Sequence, residues 1–261
     1  MATSLLIGDF DVHWGNIGVI SDKKLVRLDF GAAFDHLKGE INPHSISEHL
    51  PGLGPTNHFR DFPRTMKLNE NFIAELEKVS KENLDQVIDE SFKELEKFYS
   101  PETIKDFGTR LGVQFQKDDQ YVANTVKNRF KEKMKERQVS LKNFATELKM
   151  DLCITKDETT REWKLDQSKF EGIVKDNPKY FQEVAEGKRK IKLYDLNHKD
   201  KWNPFSPNPN ARSLTRVFEA MASVINKVLP KSLQINTNET QIRNLIMRNI
   251  EIGEHGKKAQ R

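Results

Sequence analysis

Polar side chains are concentrated in two short stretches near the start of the chain. Asp11, His13 and Asn16 form the pattern Asp-x-His-x-x-Asn, and the tripeptide Asp-Phe-Gly begins at Asp29, thirteen residues after Asn16. Phosphoryl transfer needs a carboxylate or an imidazole to orient the attacking hydroxyl group, and hard oxygen ligands for magnesium. Asp11 can supply the first, and the Asn16 amide with the Asp29 carboxylate can supply the second. The two stretches therefore predict phosphotransferase chemistry.

These residues lie next to two apolar segments that have the composition of short strands. Asn16 begins the segment NIGVI, Asp29 lies in LVRLDF, and the turn sequence SDKK separates the two segments. Such a hairpin would bring Asn16 and Asp29 side by side, and Gly31 would give the backbone freedom that a metal-binding turn needs. The alternative is a buried hairpin in which Asp11, His13 and Asn16 only satisfy turn amides.

Asp-x-His-x-x-Asn followed by Asp-Phe-Gly at this spacing resembles the catalytic and metal-binding loops of phosphoinositide kinases and of the aminoglycoside phosphotransferase branch of the kinase-like fold. Together with the segment GPTNHFRDFPR, the motifs are most similar to those of secreted effector phosphoinositide kinases of Legionella-like bacteria. The resemblance implies ATP and Mg²⁺ as cofactors. Asp11 would be the catalytic aspartate and His13 the histidine that acts as base in the phosphoinositide branch. Asn16 and Asp29 would bind Mg²⁺, with Gly31 beside them in the cofactor site.

A long loop follows these motifs. Residues 38–65 contain prolines and glycines with little periodicity. In the resembled kinases this place belongs to an activation loop that meets the lipid headgroup, so His58, Arg60 and Arg64 are predicted to bind substrate phosphate groups. Two other interpretations stay open. The segment NHFRDFPR could be a structural clamp packed by its phenylalanines, or the loop histidines could bind zinc, although their spacing is not that of structural zinc sites.

A kinase also needs a glycine-rich loop over the phosphates and a lysine on a neighbouring strand. No Gly-x-Gly-x-x-Gly occurs in this sequence, and GLGPTNH at 52–58 lies in the proline-bearing loop. We therefore expect a kinase-like C-terminal lobe from which the N-terminal, nucleotide-binding lobe is absent. Alone, such a lobe is expected to bind ATP poorly and to have little activity.

The predicted fold class is α+β, a mostly helical lobe with a small catalytic β-hairpin. Short strands are expected within residues 5–34, beginning with a buried strand in SLLIG, and helices are expected from about residue 69 onwards. We divide the chain into a kinase-like lobe, residues 1–150, and a helical extension or second subdomain, residues 151–261.

Periodicity and capping residues predict the individual elements. An amphipathic stripe is formed by Leu84, Val87, Ile88, Phe92, Leu95 and Phe98. Further expectations are a helix starting at Ser100-Pro101, one or two long helices within 120–150, a hairpin over 151–165, a helix broken at Pro178, a helix capped by Ser213 and stopped by Pro230, and a last helix over 238–252.

Composition narrows the class of protein. Of the 261 residues, 36% are hydrophobic and 31% are charged, which suits a helix-rich, charge-decorated protein. The net charge of +4 (43 basic minus 39 acidic residues) is too small to indicate a nucleic-acid partner. A single cysteine excludes an internal disulfide framework. No spanning helix is expected, because no run of about eighteen apolar residues occurs, and we expect no signal peptide, because the apolar run near Met1 is too short. The resemblance implies type IV secretion into the host cytosol, at the periphery of membranes; the alternative is a cytoplasmic location.

Residues 127–149 hold eight basic residues and three glutamates. This face could lie on an anionic membrane surface. A solvated face with neighbouring pairs such as Glu132 and Arg137 is the favoured interpretation. Cys153 is expected to be a buried structural thiol.

Two other functions stay open beside the phosphorylation of a phosphoinositide lipid. One is a small-molecule or protein kinase with another hydroxyl substrate. The other is a non-catalytic interaction module or a Rab GTPase-activating module with a host GTPase as partner, since the resembled effectors join such a domain to the kinase. Its arginine finger would be sought among Arg212, Arg216, Arg243 and Arg248, whose spacing singles out none of them.

Overall fold

The chain forms two compact units, Met1–Phe144 and Ala145–Arg261. The computed structural model describes residues 2–8, 17–20, 24–27, 33–34, 70–115, 122–193, 209–234, 238–248 and 250–252. Helices dominate these residues, and three separate pairs of short strands accompany them. The predicted α+β class is therefore confirmed. The functional division of the chain after residue 150 stays a prediction.

The first unit combines one hairpin with several helices. Helix α1 (Ala2–Ile7) packs against α2 (Glu70–Lys81), and Leu5 of α1 and Leu76 of α2 are both fully buried. The elements are α1 (Ala2–Ile7), β1 (Ile17–Ile20), β2 (Lys24–Arg27), α2 (Glu70–Lys81), α3 (Asp85–Phe98), α4 (Pro101–Arg110) and α5 (Val122–Leu152), which continues past Phe144.

Helix α1 shows that the strand predicted for SLLIG is wrong. Ala2–Ile7 is helical, although Leu5 and Leu6 are buried as expected. Periodicity cannot distinguish a strand from a buried helix in a run this short, and alanine and leucine favour the helix. Gly8, at φ = 67°, follows the helix in the left-handed conformation that glycine adopts readily.

The amphipathic stripe of α3 is confirmed only in part. Ile88 and Phe92 are buried, whereas Val87 and Phe98 are exposed. Val87 lies about 100° around the helix from Ile88, and Phe98 is the last residue of α3, so neither belongs to the buried stripe. The start of α4 is as predicted: the Ser100 hydroxyl accepts a hydrogen bond from the Thr103 amide at 3.3 Å.

The second unit has its core around α8 (Pro209–Val228), which packs against α6 (Gln167–Asp176), α9 (Glu239–Arg248) and β4 (Trp163–Leu165). Phe170 and Phe181 are fully buried there, with their rings edge to face and 5.7 Å apart. Its elements are β3 (Ile154–Lys156), β4 (Trp163–Leu165), α6 (Gln167–Asp176), α7 (Pro178–Ala185), β5 (Ile191–Leu193), α8 (Pro209–Val228), α9 (Glu239–Arg248) and β6 (Ile250–Ile252). The predicted hairpin over 151–165 and the break at Pro178 are confirmed.

Two features of this unit differ from the sequence prediction. Helix α8 begins at Pro209, a favoured first helical residue, so Ser213 lies inside the helix and does not cap it. The Ser213 hydroxyl instead accepts a hydrogen bond from the Trp163 amide at 3.0 Å. In addition, β5 and β6 form a parallel pair, with Ile191 opposite Ile250. Residues 250–252 are therefore a strand, and the helix predicted over 238–252 ends at Arg248. A parallel pairing between segments nearly sixty residues apart leaves no local turn pattern in the sequence, unlike the hairpin of β3 and β4.

Candidate functional site

The hairpin predicted beside the candidate catalytic residues is present. Strands β1 and β2 are antiparallel, and Ile17 pairs with Arg27 at the open end of the hairpin. In the sequence, Asn16 is the residue before Ile17, and Asp29 is the second residue after Arg27. Both predicted magnesium ligands therefore adjoin the open end of the hairpin along the chain.

A second connection joins the other ends of the same two segments. The backbone amide of Phe34 donates a hydrogen bond of 2.8 Å to the carbonyl oxygen of Ile7. Ile7 precedes the segment 8–16, and Phe34 follows the segment 28–33. Each segment thus runs between the same two connections, the Ile7–Phe34 hydrogen bond and the paired strands of the hairpin.

An aromatic cluster holds Phe34 against helices of the first unit. Its ring packs edge to face on Phe130 of α5, with the centroids 5.3 Å apart. Phe92 of α3 and Phe107 of α4 lie 6.1 and 5.9 Å from the Phe130 ring. Phe34 has φ = 68°, a left-handed conformation that costs a non-glycine residue roughly 1–2 kcal/mol. The ring contact and the hydrogen bond to Ile7 offset this cost.

Arg137 of α5 holds the end of α1. Its Nε donates a hydrogen bond to the carbonyl oxygen of Leu6, and its Nη2 donates one to the carbonyl oxygen of Leu5. The last carbonyl groups of a helix have no partner within the helix, and the guanidinium binds two of them. The Leu5 carbonyl oxygen also accepts a hydrogen bond from the Gly8 amide at 3.3 Å. Arg137 is only 3% exposed, and burial lowers its pKa to about 10. It is therefore still protonated at neutral pH.

The pairing predicted between Glu132 and Arg137 is wrong, because Arg137 is turned into the protein. The basic side chains of α5 nevertheless form many ion pairs, some of them to α3, and the binding of a membrane by these side chains stays a prediction. The pairs are Lys127 and Lys131 with Asp89, Lys135 with Asp85, Arg129 with Glu132, and Lys133 with Glu136.

The predicted site residues themselves lie outside the residues that the structure describes, so their roles stay predictions. They are Asp11, His13, Asn16, Asp29, Gly31, His58, Arg60 and Arg64. Within the described ranges, no group of three or more His, Cys, Asp or Glu side chains is placed to hold a metal ion.

Sequence reasoning missed Arg137 and Phe130 as residues that hold the ends of the candidate segments. One signal was present. Arg137 stands between the buried residues Met134 and Leu141, three and four positions away on the same helix. A charged residue within such an apolar stripe needs a buried hydrogen-bonding partner.

In the second unit, Cys153 is buried as predicted. Burial, reinforced by the Asp166 carboxylate, raises the pKa of its thiol to about 11. The thiol donates a hydrogen bond to the Lys149 carbonyl oxygen at 3.4 Å. It is therefore protonated and a poor nucleophile at neutral pH.

Two of the arginines considered as a finger form ion pairs within the second unit. Arg216 lies 3.1 Å from Glu162, and Arg243 lies 3.6 Å from Glu219. These exposed contacts do not distinguish any of the four arginines as a finger. A GTPase-activating role stays a prediction.

A family model described as the LepB N-terminal domain matches residues 1–146, more than half of the chain. The matched range includes all of the predicted site residues as well as Phe130 and Arg137. Comparison with curated proteins and with solved structures produced no match. Over the described part of the chain, every helix is too short or too polar to cross a membrane.

Proposed function

The chain belongs to the LepB N-terminal domain family, which links it to the Legionella effector LepB, and from that premise we propose that it is a kinase-like phosphotransferase of a secreted effector. The proposed reaction is transfer of the γ-phosphoryl group of ATP to a hydroxyl group of a phosphoinositide lipid. A small molecule or a protein is the alternative substrate class for the same chemistry.

The observation that carries this proposal is the pair of connections around the two motif segments. The segment 8–16 leaves the Ile7–Phe34 hydrogen bond and reaches the hairpin, and the segment 28–33 returns from the hairpin to the same hydrogen bond. Two segments that share both ends are a suitable frame for side chains that must act together.

The donor set fits magnesium. An asparagine amide oxygen and an aspartate carboxylate are hard oxygen ligands, and magnesium commonly takes one or two protein ligands together with phosphate oxygens. Asn16 and Asp29 are assigned this role. When bound, Mg²⁺·ATP supplies the transferable phosphoryl group and neutralises its charge.

The remaining motif residues act on the attacking hydroxyl group. Asp11 orients the hydroxyl oxygen by accepting its hydrogen bond, and either Asp11 or the imidazole of His13 accepts the proton as the new phosphorus–oxygen bond forms and ADP leaves. His58, Arg60 and Arg64 are assigned to the phosphate groups of the substrate, for which arginine offers paired donors. Because the sequence contains no glycine-rich phosphate loop, we expect weak ATP binding and low activity for the chain alone.

Calorimetry of the full chain with ATP tests this proposal. We expect binding weaker than micromolar that requires Mg²⁺ and is lost in Asp29→Asn. Transfer of phosphate to phosphoinositide vesicles, if measurable, is expected to be lost in both Asp11→Asn and Asp29→Asn. The matched control is Asp166→Asn, because asparagine retains the helix cap that Asp166 provides to the Lys169 amide. Magnesium-dependent binding that survives in Asp29→Asn, or transfer that survives in both motif variants, would contradict the proposal.

A further inference from the structure

We propose that Arg137 is a positioning residue, which sets where the chain leaves α1 and enters the segment 8–16. The inference rests on the proposed function for the identity of that segment as catalytic. The contacts that carry it, however, lie entirely among described residues. In this role the side chain of Arg137 does not need to touch substrate or cofactor.

Arg137 forms a fork of two hydrogen bonds at the end of α1. A guanidinium is planar and presents its donors in a rigid arrangement, so two bonds to the adjacent carbonyls of Leu5 and Leu6 fix the orientation of the last helical turn. The chain continues directly into Ile7 and Gly8. The direction in which the segment 8–16 begins therefore depends on these two carbonyls.

Two residues of α5, Phe130 and Arg137, hold the ends of the two motif segments. Phe130 and Arg137 are seven residues apart, which is about two helical turns and about 10 Å along one face of the helix. Phe130 contacts Phe34, where the segment 28–33 ends, and Arg137 holds α1, where the segment 8–16 begins. One rigid helix thus sets the positions of both ends, and the Phe34–Ile7 hydrogen bond joins them directly.

The buried charge of Arg137 needs a reason other than packing. Placing a guanidinium where it is 3% exposed costs desolvation free energy, and an unbranched apolar side chain such as methionine could fill much of the same volume. Packing alone therefore does not account for an arginine. A cation at the carbonyl end of a helix is favourable, and two directed hydrogen bonds supply what a methionine cannot.

Three variants of the full chain test the inference. Arg137→Met removes the fork, and Arg137→Lys keeps the charge but cannot reproduce the planar pair of donors. The control is Arg129→Met, because Arg129 also lies on α5 and its Nε donates to the Leu111 carbonyl oxygen at 3.4 Å, at the end of α4. The substitution removes one longer hydrogen bond, together with the ion pair to Glu132, from a helix end that does not lead into a motif segment.

Hydrogen exchange followed by mass spectrometry is the first measurement, on peptides that cover residues 9–16 and 28–33. Peptides from α6 report on the second unit and serve as the reference. We expect Arg137→Met to accelerate exchange in both segments on the order of tenfold, which corresponds to about 1.4 kcal/mol. Arg137→Lys should lie in between, and Arg129→Met should match the wild type. If Arg137→Met does not fold, Arg137→Lys alone decides.

Binding of Mn²⁺, measured by electron paramagnetic resonance as a substitute for Mg²⁺, is the second measurement. We expect weaker binding in Arg137→Met than in Arg129→Met, and loss in Asp29→Asn. Equal exchange of the two segments in the Arg137 variants and in Arg129→Met would overturn the positioning role. Mn²⁺ binding that is the same in the wild type and in Asp29→Asn would instead contradict the proposed function, so the two failures are read from different measurements.

Discussion

The ring of Phe34 packs edge to face on that of Phe130, although the backbone of Phe34 is left-handed at φ = 68°. The residue therefore combines a favourable aromatic contact with an unfavourable backbone conformation. Because Phe34 also donates to the Ile7 carbonyl oxygen, the conformation belongs to the connection between the two motif segments.

Replacing Phe34 separates the backbone and ring contributions. Phe34→Ala and Phe34→Gly both remove the ring, but only glycine adopts φ = 68° without strain. We expect Phe34→Gly to be more stable than Phe34→Ala by about 1 kcal/mol in the free energy of unfolding measured with urea. An alanine variant as stable as the glycine variant would show that the left-handed conformation is not required.

Gly108 of α4 is a position where a methyl group has no space. A Cβ atom there would lie 2.5 Å from Cγ2 of Val126 and 2.6 Å from Cζ of Phe115. We expect Gly108→Ala to lower the free energy of unfolding by about 1–3 kcal/mol through overpacking, despite the better helix propensity of alanine.

Gly172 is the matched control for this substitution. It also lies inside a helix, α6, but nothing lies within 4 Å of the position of its Cβ atom. Gly172→Ala should therefore raise the free energy of unfolding by up to about 1 kcal/mol. The two substitutions are expected to have opposite signs in the same urea titration, and a stabilising Gly108→Ala would contradict the packing around α4.

The hydroxyl of Ser213 connects α8 to β4. It is 2% exposed and accepts a hydrogen bond from the Trp163 amide. In Ser213→Ala the Trp163 amide loses this acceptor, and we expect a loss of about 1–3 kcal/mol in the free energy of unfolding. Ser168→Ala, at an exposed position of α6, should change stability by less than about 0.5 kcal/mol. Equal effects of the two substitutions would argue against this bond.

The raised pKa of the Cys153 thiol predicts that the free energy of unfolding depends on pH. Its pKa is raised from 9.0 to about 11 by burial, so between these values the unfolded thiol loses its proton while the folded thiol keeps it. The unfolded state then binds fewer protons, and stability falls as the pH rises through this window, by at most about 1.4 kcal/mol per pH unit.

Cys153→Ala isolates this effect from the titration of other residues. The difference in free energy of unfolding between the wild type and Cys153→Ala should decrease as the pH is raised from 8 to 10.5, in urea titrations at each pH. A difference that is constant over this range would mean that the thiol is not held protonated by burial.

Local patterns predicted much of the fold. The Ser100-Pro101 start of α4, the break at Pro178 and the hairpin β3–β4 each depend on residues that are neighbours in sequence, and each is present. Local patterns failed where a neighbouring element supplied the missing information. The run SLLIG is a helix packed on α2, and the Ser213 hydroxyl binds a strand fifty residues away instead of capping its own helix.

For the candidate site, the sequence by itself determined the order, types and spacing of the motif residues, and it predicted the hairpin between Asn16 and Asp29. Only the tertiary structure decided which distant residues hold the ends of the two motif segments. The bond from Arg137 to Leu5 spans 132 residues, and the contact of Phe34 with Phe130 joins segments nearly a hundred residues apart. Caps and periodicity act over one or two turns, whereas the partner of a buried charge depends on which distant helix end packs against it.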